Sequence, residues 1–100
     1  TLLGFAASGS ATSGHADIPF QTFGTLRVNW GSTSVGANTS TTDTFHGTFS
    51  TAFVGVGSMY DTATNLTDNW FVGNATTTTI TLTNGDNSSH DFSWIAVGLA

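Results

Sequence analysis

The chain has no cysteine, no lysine and no glutamate, with one arginine (Arg27) and one proline (Pro19) in 100 residues. Each absence removes a class of chemistry. Without cysteine there is no disulfide, no thiolate nucleophile and no Cys-based zinc site. One cation against six aspartates, a formal net charge of -5, leaves no basic face for phosphate. Nucleic acid and anionic membrane surfaces are therefore excluded as partners. No apolar run approaches the roughly 20 residues of a membrane-spanning helix, so no membrane insertion is expected. The strong helix formers Glu and Lys are missing, and no apolar stripe with helical spacing replaces them.

What remains is Thr, Ser, Asn and Gly around a sizeable apolar set that includes eight Phe and three Trp. That set is large enough for one core in a domain of this length. It also argues against disorder despite the low charge. Residues 1–16 read as a flexible lead-in, since 8–14 is a Ser/Gly/Thr linker composition, and the folded domain is expected over 17–100. The segment from Leu2 to Ala7 lacks the basic flank of a signal peptide, and the chain reads as an excerpt of something longer.

Short alternating runs separated by Gly, Asn, Asp and Ser predict an all-β fold, an antiparallel β-sandwich. Thr25–Trp30 puts Leu26, Val28 and Trp30 on one face, taken as the core side, and Thr25, Arg27 and Asn29 on the other. Residues 31–42 read as a polar loop, and Thr44–Phe49 as a strand with Phe45 and Phe49 on one face. Thr51–Tyr60 reads as a strand whose Gly55 and Gly57 signal a bulge or the close approach of another backbone. Asn69–Gly73 and Thr76–Thr83 are further strands, the latter facing Thr78, Ile80 and Leu82 one way. Asn84-Gly85 is a type I′ hairpin signal. The last strand, Asp91–Gly98, places Phe92, Trp94 and Ala96 on one face and Ile95 and Val97 on the other. A strand apolar on both faces needs cover on both. A sandwich of this size has one interior, so the second face points to another copy of the chain, or else to the 31–42 loop folding over it.

No catalytic pattern emerges. The aspartates Asp17, Asp43, Asp61, Asp68, Asp86 and Asp91 fall in loops and strand ends, where Asp serves turns. His15, His46 and His90 show no spacing that would pair two imidazoles on a metal. There is no nucleophile elbow and no twelve-residue calcium loop. The sequons at Asn38, Asn65, Asn74 and Asn87 follow from composition. Polar, nearly uncharged loops with Tyr60 and Trp70 beside them suit glycan recognition, since aromatic faces stack on sugars while Asn, Asp and Thr satisfy hydroxyls.

Three stretches, in order, carry a family resemblance. Gly24–Gly31 (GTLRVNWG) resembles the segment G-x-hydrophobic-x-hydrophobic-Q-W-G of bacteriophage tail-fibre C-terminal domains. Thr44–Phe49 (TFHGTF) is similar to their T-F-P-x-x-F, and Phe92–Gly98 (FSWIAVG) to their closing F-x-W-I-A-I-G. The likeness covers roughly residues 20–100. Asn29 stands in place of the usual Gln, where it is expected to alter an outward hydrogen bond. His46 stands in place of Pro, putting an imidazole near a strand start. The resemblance implies a homotrimeric fibre tip at the distal end of a virion tail fibre. It implies non-catalytic adhesion to a host-cell surface glycan, lipopolysaccharide or outer-membrane protein, with no cofactor and no metal. It carries over no binding residues. From the residues alone, recognition is expected in the loops around 32–42, 60–70 and 84–90. The candidates are Tyr60, Asp61, Asn65, Asp68, Trp70, Asn84, Asp86 and His90. A purely structural trimerisation or capping domain, a monomeric carbohydrate-binding module and a small polysaccharide depolymerase are the alternatives. The missing Glu and the cleft-poor length weigh against the last.

Overall fold

A computed structural model describes residues 6–20, 24–59 and 70–100. It contains eight strands: β1 (Ala6–Gly9), β2 (Ser13–Phe20), β3 (Gly24–Val35), β4 (Thr39–Thr44), β5 (Thr51–Met59), β6 (Trp70–Ala75), β7 (Thr79–Asn84) and β8 (His90–Leu99). Among the described residues there is no helix. All pairings are antiparallel. One sheet runs β1-β2-β3-β8-β5, the other β4-β7-β6. The two enclose a core of Val35, Phe45, Phe49, Ile80, Leu82, Phe92, Trp94 and Ala96. The molecule is elongated, 50 × 22 × 19 Å. The twelve residues of β3, at about 3.3 Å each, run most of that length.

The period-2 expectation holds best where one face is apolar. On β7, Ile80 and Leu82 are buried and their neighbours are not. On β8, Phe92, Trp94 and Ala96 are buried, while Ile95 is 43% exposed on the opposite face. On β3 the alternation is right but its sides are reversed. Asn29, Gly31 and Val35 face inward, whereas Leu26, Val28 and Trp30 lie half-buried on the outer face. The reason lies in the cross-strand pairs. Trp94 sits opposite Gly31 and lays its indole where a Cβ would stand. Trp30 then alternates outward, across Gly14 of β2, and its Nε1 donates to the Ser10 carbonyl at 2.9 Å. Asn29 is likewise inward, not outward, and fully buried.

Four other expectations are corrected. The segment 31–42 is not a loop: β3 extends to Val35, and β4 follows as an edge strand. Thr and Ser suit a strand, and hydroxyl pairs bind β4 to β7, Ser40 to Thr83 at 2.7 Å and Thr42 to Thr81 at 3.4 Å. This segment therefore does not cover the outer face of β8. Residues 45–50 are an irregular strap rather than a strand, because their backbone bonds go to a turn. The N–H groups of Phe45 and Phe49 donate to the carbonyls of Thr78 and Thr77, each at 2.8 Å. Phe45 and Phe49 still enter the core together, ring centroids 5.0 Å apart. Asn84-Gly85 is not a hairpin turn, because β7 and β8 belong to different sheets and the chain crosses between them. Neither residue takes a positive φ; Asn38 does, at 50°. Finally, strand reaches into the expected lead-in. β1 and β2 form a hairpin, with Ser10 N–H donating to Ser13 O at 2.8 Å. The bulge expected in β5 falls between Ala52 and Val54, and what closes on Gly55 is the Ile80 side chain rather than another backbone.

Candidate functional site

The topology gathers one end of the sandwich. Val35 pairs with His90, Thr39 with Asn84, Met59 with Phe92, and Trp70 with Asn84. The end of β3 and start of β4, the end of β5 and start of β6, and the end of β7 and start of β8 therefore meet there. Each of these three connections passes from one sheet to the other. They fall within the regions 32–42, 60–70 and 84–90 singled out from composition, the first of which is strand except at 36–38, while 60–69 lie outside the described residues.

A buried polar network builds this end. Asn84 Nδ2 donates to the carbonyls of Val35 (3.1 Å), Gly36 (3.2 Å) and Ser88 (2.8 Å). Its Oδ1 accepts from the Asp86 N–H at 2.9 Å. Asp86 Oδ1 accepts from the Asn87 N–H at 2.7 Å, and Asp86 Oδ2 is hydrogen-bonded to His90 Nε2. Asn38 ties one connection to the other, its N–H donating to Asp86 O at 2.9 Å and its Nδ2 to Asn87 Oδ1 at 2.9 Å. Asn84, Asp86 and His90 are thus buried, with partners inside the chain. The groups they hold outward are Asn38, Asn87, Ser88 and Ser89, uncharged amides and hydroxyls. Trp70 opens β6. Tyr60, Asp61, Asn65 and Asp68 lie outside the described residues.

A second polar row lies under the strap, on the inner side of β2 and β3. Asn29 Nδ2 donates to Gly47 O and Asn29 Oδ1 accepts from Gly47 N–H, both at 2.8 Å. Arg27 forks onto Asp17, Nε to Oδ1 at 2.7 Å and Nη2 to Oδ2 at 2.9 Å, and reaches Thr48 O with Nη1 at 2.5 Å. The Arg27 guanidinium holds the Asp17 carboxyl below its usual range, and the carboxylate raises Arg27 in turn. At the end of the row, His15 Nδ1 meets His46 Nδ1 at 2.7 Å. Desolvation, then the Arg27 charge, lowers the His15 pKa and favours its neutral form. Thirty-one residues separate the pair, and sequence spacing gave no hint of it. The one clue was His46 in a position where the resembled family has Pro. Two of the family-like stretches, 24–31 and 44–49, prove to be each other's partners along this row.

This arrangement has known counterparts. An N-truncated R2-type pyocin tail fibre superposes with a TM-score of 0.79 at 27% identity, covering 95% of this chain and 37% of that one. The fold is that of a tail-fibre domain. The C-terminal portion of the P. aeruginosa R2 pyocin fibre matches equally, with TM-score 0.79 and 26% identity over 95% of this chain and 26% of its own. An N-truncated R1-type pyocin tail fibre shares the fold at TM-score 0.71 and 18% identity, over 95% of this chain and 85% of that chain. The chain thus spans well under half of the two R2 fibre chains. No family model and no curated protein matches it. The likeness supports the resemblance to phage tail-fibre domains drawn from the three stretches.

Proposed function

We propose that this tail-fibre domain is the receptor-binding end of a phage-type fibre, acting outside the cell at the distal end of a tail by adhesion without catalysis. The observation that carries this reading is the convergence of three sheet-to-sheet connections at one end. A buried network stiffens two of them and presents uncharged amides and hydroxyls. Such groups match the hydroxyls of a surface glycan or lipopolysaccharide, the receptor class proposed here over an outer-membrane protein. In this reading Asn38, Asn87, Ser88 and Ser89 contact the receptor. Tyr60, Asp61, Asn65, Asp68 and Trp70 add aromatic and polar contacts from the connection between β5 and β6. Asn84, Asp86 and His90 serve recognition from beneath, by holding the loops in place.

The working unit is a homotrimer. The outer face of the five-stranded sheet carries Val56, Ile95 and Trp30 in one cross-strand row and Val54, Val97 and Val28 in the next. Val54 and Val56 are about half exposed, at 51% and 52%. A contiguous apolar face of this kind marks a protein contact, and further copies of the chain supply it.

The test is binding to a panel of immobilised bacterial lipopolysaccharides. Wild type is expected to bind at least one. Trp70→Ala and the pair Asn38→Ala/Asn87→Ala are expected to weaken that binding about tenfold or more with an unchanged far-ultraviolet spectrum, the scale of a lost hot spot. Bound polysaccharide should keep its full length. Absence of binding to every preparation, or equal binding by all variants, would leave a structural capping domain as the better reading.

A further inference from the structure

We infer that His15 and His46 form a chelating pair for a divalent transition-metal cation, zinc being the ion the site suits best. The two Nδ1 atoms face each other at 2.7 Å, hydrogen-bond distance, so one ring donates and the other accepts according to tautomer. A metal ion can enter between two such nitrogens when the bridging proton moves to Nε2 of its own ring, which turns both Nδ1 lone pairs toward the ion. Tetrahedral zinc with Zn–N bonds of about 2.0–2.1 Å needs its nitrogens roughly 3.3 Å apart, so the pair must open by only about 0.6 Å.

The surroundings allow that movement on one side and restrict it on the other. The His15 ring rests against Gly47: a Cβ there would lie 2.8 Å from His15 Cγ, so only glycine leaves the imidazole its place. Gly47 is itself fixed by both hydrogen bonds from Asn29. His46 is exposed, so a shift of that size displaces solvent rather than packed side chains. The nearest cation, Arg27, is neutralised by its fork onto Asp17. Among the described residues no group of three or more His, Cys, Asp or Glu side chains comes together, so the two imidazoles would need water to complete the shell. Zinc tolerates such a mixed shell because its filled d shell imposes no geometry. A bound ion would clamp the strap onto β2 at the end of the polar row and would leave the loop end untouched. The site is therefore independent of the adhesion reading.

The experiment is a zinc titration of the full chain against a chromophoric chelator at pH 7.5, with melting curves in zinc and in chelating buffer. Wild type is expected to bind one zinc per chain and to melt higher in its presence. His46→Ala removes an exposed ring and leaves the core intact. It should bind zinc at least about tenfold more weakly and lose the zinc-dependent rise in melting temperature. His15→Gln should do the same, and nitrogen-15 NMR should place the metal on Nδ1 of both rings. Zinc binding of equal strength in wild type and His46→Ala, or no binding to wild type, would overturn the assignment and leave a hydrogen-bonded imidazole pair.

Discussion

The carboxamide of Asn29 replaces a strand neighbour for Gly47, donating to its carbonyl and accepting from its N–H in a fully buried position. Truncation to alanine strands both backbone groups. Asn29→Ala should cost about 2–4 kcal/mol, the sum of two unsatisfied buried groups, read as a lower urea midpoint. A loss within about 0.5 kcal/mol, the range of an exposed position, would contradict this role. Asp17 and His15 make the same row sensitive to acid. Both have folded pKa values below their ordinary ones of 3.8 and 6.5, so the folded state holds fewer protons than the unfolded one. Their stabilisation is complete above those ordinary values and is lost as the pH falls through the folded ones. Melting temperature in chelating buffer should therefore drop in two stages on acidification. The stage beginning below about pH 6.5 should shrink in His15→Gln, and the stage below about pH 3.8 in Asp17→Asn. Identical profiles for wild type and both variants would contradict the assignment.

Among the elements, β8 depends on small neighbours. Trp94 lies across Gly31, packs edge-on to Phe45 at 5.4 Å and donates from Nε1 to Asp43 Oδ2 at 2.9 Å. Gly31→Ala pushes a methyl group into the indole and should destabilise by about 1–3 kcal/mol, with a shifted tryptophan emission as the ring moves. Unchanged stability and emission would mean that the ring has room to spare. The elements legible in the sequence were those whose burial alternates with hydrophobicity. Ile80 and Leu82 marked β7, and Phe92, Trp94 and Ala96 marked β8. β4 was hidden because an edge strand of Thr, Ser and Asp has no apolar period. The strap reads as a strand in sequence because Phe45 and Phe49, four apart, point together in either conformation. Asn84-Gly85 carried a sound local turn signal. It was overridden because β7 and β8 each find their partners in a different sheet.

At the scale of the whole molecule, composition pointed to the regions 32–42, 60–70 and 84–90, but the meeting of three sheet-to-sheet connections at one end depends on which strands pair. The buried state of Asn84, Asp86 and His90 was equally out of reach, since polar residues in a polar segment look exposed until their partners are known. The outer face was legible: Ile95 and Val97 facing away from Trp94 called for cover, by another copy or by residues 31–42, and the fold takes 31–42 away from it. That face bears on everything proposed for function, because the proposed trimer would multiply weak contacts. Charge placed on it should separate the copies without unfolding them, so Val56→Lys/Ile95→Lys is expected to remain folded and run as a monomer. The decisive measurement is absolute mass by light scattering after size exclusion. One chain is 10.3 kDa. A mass of about 31 kDa for wild type, falling to that of one chain in the double lysine variant, is the predicted result. A wild-type chain that stays at 10.3 kDa across the concentration range would contradict the trimeric fibre end.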